Sequence, residues 1–198
     1  MNTHSLMIPS HKPPAMRYRR PTLCLLLVAI TLLLSPTSTA SSSIAAPVLQ
    51  WQRGGCTSWC QTGWYASSAV ADLDGNGTME VIGGLYNVYI LNGADGSLVR
   101  SIDTPGSRVW PGVVVADIDN DGDPEIVTAQ GGGYLNVLDH SGDLVWSRQP
   151  SSNELRGLSA YDLDNDGTLE IIVTSATYNR TNTWVYEHDG TLRAGWPQ

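Results

Sequence analysis

From residue 68 onward, apolar residues fall in runs of three to five, separated by Gly, Asp and Asn. A first set holds Ser68-Ala69-Val70-Ala71, Val81-Ile82-Gly83-Gly84, Val88-Tyr89-Ile90-Leu91 and Ser97-Leu98-Val99. A second holds Val113-Val114-Val115-Ala116, Ile126-Val127-Thr128, Leu135-Asn136-Val137-Leu138 and Leu144-Val145-Trp146. A third holds Leu158-Ser159-Ala160, Ile171-Ile172-Val173-Thr174, Trp184-Val185-Tyr186 and Thr191-Leu192. Short β-branched and aromatic runs bounded by turn residues predict strands. Asp95-Gly96, Ser141-Gly142 and Asp189-Gly190 lie between the last two runs of each set and predict hairpin turns. After residue 46 no segment carries a helical period.

One acidic phrase sits between the first and second run of every set. It spans Asp72 to Glu80, Asp117 to Glu125 and Asp162 to Glu170, at intervals of 45 residues. Four strands per ~45 residues is the size of a propeller blade. The expectation is an all-β fold, a partial β-propeller of about three four-stranded blades near 67–102, 112–148 and 157–198, with the acidic phrase as the A–B loop. Val48-Leu49-Gln50-Trp51 resembles Leu144-Val145-Trp146 and predicts an extra outer strand near the N-terminus. Closed propellers have about four to eight blades. Three do not close a ring, so the expectation is a truncated reading of a longer gene, with self-assembly between chains as the alternative.

The phrase has the chemistry of a hard-cation loop. Its first, third and fifth positions are Asp72, Asp74 and Asn76, then Asp117, Asp119 and Asp121, then Asp162, Asp164 and Asp166. Glycine at the sixth position permits a sharp turn. Thr78, Asp123 and Thr168 at the seventh would offer a backbone carbonyl, and Glu80, Glu125 and Glu170 bring a carboxylate at the ninth. Oxygen-only ligation by this many groups fits Ca²⁺ at about three sites. No His or Cys lies in the loops, which disfavours zinc and copper. An EF-hand needs Glu at position twelve and a following helix. Here position twelve is Gly83, Thr128 or Val173, and strand-like residues follow.

Composition adds compartment and charge. Lys12, Arg17, Arg19 and Arg20 precede an apolar run from Leu23 to Leu34, and Ser38-Thr39-Ala40 offers a cleavage site. This is the pattern of a secretory signal over 1–40, and the run is short of the ~20 residues of a spanning helix. Ser41 to Ala46 reads as a linker. Beyond residue 40 lie all 19 acids and seven arginines, a formal charge of −12. Twelve of those acids are in the three phrases, so three divalent cations would halve the charge. Such acidity argues against a nucleic-acid partner. Cys56 and Cys60 have three residues between them. In an exported chain a disulfide closing a tight loop is the leading reading. A redox pair usually has two intervening residues, and a metal site lacks a nearby His.

The phrases Ala71-Asp72-Leu73-Asp74, Ala116-Asp117-Ile118-Asp119 and Tyr161-Asp162-Leu163-Asp164 resemble the FG-GAP and VCBS-type repeats of integrin α-chain-like β-propellers. The resemblance covers about 47–198, though the chain has no Phe and hence no Phe-Gly pair. It implies a secreted or surface propeller rigidified by Ca²⁺, acting in adhesion or in recognition of an extracellular protein or carbohydrate. It also implies that partners meet the face opposite the cation loops. That face would carry Trp64, Arg108, Trp110, Arg156 and Tyr178, residue types common in recognition surfaces. For Trp64 and Trp110, packing between blades is the stronger expectation. His140 and His188 precede turns, and Lys is absent after residue 12, so no catalytic constellation stands out. The alternative is the propeller part of a carbohydrate-active or quinone-dependent enzyme, or a truncated product without independent function.

Overall fold

The computed structural model describes residues 45–53, 65–177 and 182–198. The chain divides into Met1–Pro47 and Val48–Gln198. In the first unit the described residues 45–47 are exposed and without secondary structure. The expected signal segment, Cys56, Cys60, Trp64 and Tyr178 lie outside the described residues. Among those described, no helix is long and apolar enough to cross a membrane.

Among the described residues, eleven strands build three antiparallel sheets. Blade 1 is β1 (Ala69–Ala71), β2 (Glu80–Gly84), β3 (Val88–Asn92) and β4 (Leu98–Ile102), in that order. Blade 2 repeats it with β5 (Val114–Ala116), β6 (Glu125–Ala129), β7 (Leu135–Leu138) and β8 (Leu144–Arg148). Blade 3 has β9 (Leu155–Tyr161), β10 (Glu170–Ser175) and β11 (Thr183–Tyr186). The expected fourth strand at Thr191-Leu192 is reduced to one bridge, Tyr186 with Leu192. The Arg193 N–H also donates to the Val185 carbonyl, and Gln198 reaches β11 again at Thr183, so residues 194–197 loop away between these contacts. The fold is all-β and a partial β-propeller.

Each sheet is apolar on both faces because each is meant to lie between two others. The core accordingly divides into two clusters, one per blade junction. Leu73, Ile82, Val88, Ile90 and Ile102 of blade 1 pack with Val113, Ile126 and Leu138. Ile118, Val127, Leu135, Val137 and Trp146 of blade 2 pack with Leu155, Ile171, Val173, Trp184 and Tyr186. The middle blade has a neighbour on both sides, and every residue of β6 and β7 is buried. β2, in an end blade, alternates between buried and half-buried.

Outer strands also clip onto the next blade. Trp146 Nε1 donates to the carbonyl of His188 at 2.8 Å, and Arg148 Nε donates to that of Gly190 at 2.8 Å. Gly190 has φ +79°, and a Cβ there would stand 2.9 Å from the Trp146 ring, so the clip needs glycine. Val48-Leu49-Gln50-Trp51 forms no strand, although Trp51 is fixed on blade 1 by its indole N–H, 2.8 Å from the Gly93 carbonyl.

Candidate metal loops and the opposite face

The three acidic loops connect β1 to β2, β5 to β6 and β9 to β10, and they share one hydrogen-bond scheme. The first Asp accepts the amide of the sixth residue: Gly77 to Asp72 at 2.7 Å, Gly122 to Asp117 at 3.0 Å, Gly167 to Asp162 at 3.1 Å. The third accepts the amide of the fifth at 3.2 to 3.3 Å, through Asp74, Asp119 and Asp164. The fifth accepts the amide of the seventh at 2.7 to 2.9 Å, through Asn76, Asp121 and Asp166. These are Asx turns in series, and they curl the backbone so that its carboxylates converge.

Two signals in the phrase go beyond the expected ligands. The fourth position is left-handed in every loop: Gly75 at φ +68°, Asn120 at +63° and Asn165 at +61°. Only Gly and the short amides tolerate that conformation well, which explains the Gly, Asn, Asn found there. The second position is an interior plug. Leu73 and Ile118 are buried in the junction with the following blade, whereas Leu163 of blade 3 is exposed.

The ninth-position glutamates are the geometric centre. Glu80, Glu125 and Glu170 are buried. Each accepts the amide of the second residue, from Leu73 at 2.9 Å, Ile118 at 2.9 Å and Leu163 at 2.6 Å. One oxygen of each lies within 4.8 Å of oxygens of the first and third Asp of its own loop, giving the groups Asp72–Asp74–Glu80, Asp117–Asp119–Glu125 and Asp162–Asp164–Glu170. Burial pushes Glu125 up to about 7, and the charges of Asp119, Asp121 and Asp117 add to the effect against the lowering by the Ile118 amide. A buried carboxylate facing other carboxylates is costly without a counter-cation. The donor set is oxygen only and converges from three side chains, so it fits Ca²⁺. Thr78, Asp123 and Thr168 contribute their amides to the turn scheme, leaving their carbonyls for a cation.

Loop three differs. Arg193 places Nη2 2.9 Å from Asp164 Oδ2 and Nη1 2.8 Å from Glu170 Oε1, and Nη1 also lies 3.3 Å from Glu187. The approach to Glu170 Oε1 is an ion pair and not an aligned hydrogen bond, so that oxygen keeps an unused lone pair. A guanidinium therefore supplies positive charge at loop three, whereas among the described residues the acids of the other two loops pair with no Arg, and loop two meets only His140 Nδ1, 3.8 Å from Asp123 Oδ2. Sequence reasoning gave Arg193 no role, because it lies 23 residues beyond its loop.

On the other end of the sheets, Arg108, Trp110 and Arg156 come together. Arg108 is buried, donates to Tyr86 Oη at 3.1 Å and stands 4.8 Å from the Tyr86 ring centre. Arg156 lies 4.0 Å above the Trp110 ring and pairs with Glu154, while Tyr65 stacks on Trp110 with centres 5.0 Å apart. A cavity of about 430 Å³ is lined by Tyr65, Tyr86, Ser107, Arg108, Trp110 and Glu154. Trp110 Nε1 is buried without a hydrogen-bond partner among the described residues. Tyr65 and Glu154 were not among the expected recognition residues; adjacency to Trp64 and to Arg156 was the only signal for them.

No protein-family model matches the chain, and no curated protein matches it. Solved structures do. The biofilm matrix protein Bap1 of V. cholerae matches with a TM-score of 0.51 and 21% identity, over 73% of this chain and 33% of that one. The computationally designed Ika4 protein matches with a TM-score of 0.53 and 16% identity, over 75% of this chain and 78% of that one. The chain thus spans about a third of Bap1's length. The likeness is one of fold, and it places this chain among proteins of β-propeller type.

Proposed function

We propose that this chain is a calcium-binding β-propeller module of the FG-GAP/VCBS type, exported from the cell and acting in recognition or adhesion without catalysis. The observation that carries the reading is the threefold recurrence of one loop, each with a buried Glu facing two Asp carboxylates. Three Ca²⁺ ions would relieve that repulsion and fix each A–B loop to its blade. The cations act as clips, since strands and not mobile helices follow the loops.

Recognition is assigned to the opposite end. The cavity beside Arg108 and Trp110 offers aromatic faces, a buried guanidinium and a free indole N–H. These groups suit an extracellular protein or carbohydrate. Bap1 is a biofilm matrix protein, and a matrix role agrees with this reading. Glu154 in the lining is already paired with Arg156, and among the described residues no second acid lines the cavity with it. A glycosidase would need two carboxylates across a cleft.

Thermal melting of the purified chain in Ca²⁺ and in EGTA tests the reading. A ligand that binds the folded state at 100 times its Kd stabilises by about 2.7 kcal/mol per site. The melting temperature is expected to fall on chelation and to recover with Ca²⁺. An unchanged melting temperature rejects calcium binding.

A further inference from the structure

The two ends of the sheets carry opposite balances of charge. Of the 19 acids, all but Asp103 and Glu154 lie in the three acidic loops or in the turns after β3, β7 and β11. Antiparallel order puts those loops and turns at one end. Asp103 and Glu154 follow β4 and β8, at the other end. Arg108 and Arg156 stand there with them. Arg108 is 7% exposed and lines the cavity beside Trp110. The lining therefore holds a buried guanidinium and one carboxylate, Glu154, that Arg156 already neutralises.

The polar groups of the lining are mostly donors. Tyr86 Oη accepts from Arg108 Nη2, so the phenol keeps its own proton to donate. Trp110 Nε1, which can only donate, is buried without a partner among the described residues. A buried donor in that state calls for an acceptor. Ser107 adds a hydroxyl. A Cβ on Gly131 would collide with Ser107 Oγ and stand 3.2 Å from Trp110 Nε1, so glycine keeps the space between these groups open. Arg156 bonds only Oε2 of Glu154, which leaves Oε1 as an acceptor. Tyr65 turns one face to Trp110 and is still 60% exposed, so its other face is open.

Building on the reading of this cavity as the recognition site, we propose that it takes one uronate unit of an acidic polysaccharide. The carboxylate meets the Arg108 guanidinium and the indole and phenol donors beside it. The pyranose ring lies on the open face of Tyr65. Its hydroxyls donate to Glu154 Oε1. The lining thus asks for an anion and for hydroxyl donors together. A neutral sugar brings no anion to Arg108. An Asp or Glu side chain brings the anion, but no hydroxyl for Glu154, and sets two like charges side by side. A carboxylated sugar brings both. The volume of about 430 Å³ is near the small end of ligand sites and suits one unit of a chain. The acid-rich end repels an anionic polymer and turns it toward the other end.

Isothermal titration of the full chain in Ca²⁺ tests this with trimers of galacturonate and of mannuronate, their methyl esters, and a glutamate tripeptide. At least one acid trimer is expected to bind, and to bind more weakly as NaCl is raised. Its methyl ester and the peptide should bind about tenfold more weakly or worse. Arg108→Gln and Tyr65→Ala should each weaken the acid trimer by about tenfold or more, with the far-UV circular dichroism spectrum unchanged. Tyr65 lies at the surface, so its variant decides the matter if Arg108→Gln fails to fold. No binding of either acid trimer overturns the proposal, and so does binding that a folded variant leaves intact. An ester or a peptide that binds as well as the acid and is lost in the variants overturns the uronate while keeping the cavity as a recognition site. The calcium response of the melting temperature is expected to be the same in both variants, so its loss in the parent would strike the calcium reading alone.

Discussion

Glu125→Gln should change stability in opposite directions with and without calcium. Glu125 is 6% exposed, and burial with three neighbouring Asp carboxylates moves it from 4.5 to about 7. A pKa unit is about 1.4 kcal/mol, which sets a ceiling of about 3 kcal/mol for the cost of its charge. Water at the open side of the loop brings the expected figure to about 1–2 kcal/mol. The sign follows from linkage. The folded value lies above the unfolded one, so the metal-free fold holds the proton more tightly. Stability is lost as pH rises from about 4.5 to about 7 and stays lower above that. Gln is neutral throughout, and its amide oxygen still accepts the Ile118 N–H. In EGTA at pH 8, urea unfolding should show the variant about 1–2 kcal/mol more stable than the parent, and at pH 5 nearly equal to it. In saturating Ca²⁺ at pH 8 the order should reverse, because the variant has lost a charged ligand. A variant less stable than the parent in EGTA at pH 8 would refute the account of the loop as a strained cluster of acids.

Arg193→Gln removes the guanidinium that lies between Asp164 and Glu170; isothermal titration should then show tighter Ca²⁺ binding at one of the sites, and an unchanged isotherm would mean Arg193 does not compete. Trp146→Phe keeps most of the packing but deletes the N–H to His188, for a loss of about 1 kcal/mol in urea unfolding, whereas Trp146→Ala should cost about 3–5 kcal/mol. Near-equal losses for the two would show that the ring contributes little beyond its hydrogen bond.

The strands were legible because the chain writes them as short apolar runs between Gly and Asp. β7 begins and ends where Leu135 and Leu138 predict. β9 runs longer than its apolar signal, from Leu155 to Tyr161, because Thr174 and Ser175 pair with Gly157 and Leu155 across a bulge. Neither Arg156 nor Gly157 marks a strand by itself. The acidic loops were legible as chemistry, since oxygen donors at alternate positions have few other uses. Their conformation was legible only in retrospect, through Gly75, Asn120 and Asn165 at the left-handed position. The Arg193 contact and the Trp51 clip depend on partners 23 or more residues away, and no local pattern announces them.

The apolar core belongs to the junctions and not to the sheets. Each cluster draws its side chains from one blade and from the next. A sheet therefore has little stability of its own, and cooperativity must travel along the chain from neighbour to neighbour. The middle sheet, enclosed on both sides, should be the last to exchange its amide hydrogens, with β6 and β7 slowest and β1 among the first. Unfolding would then run inward from the ends, as a stack loses its outermost members before its centre.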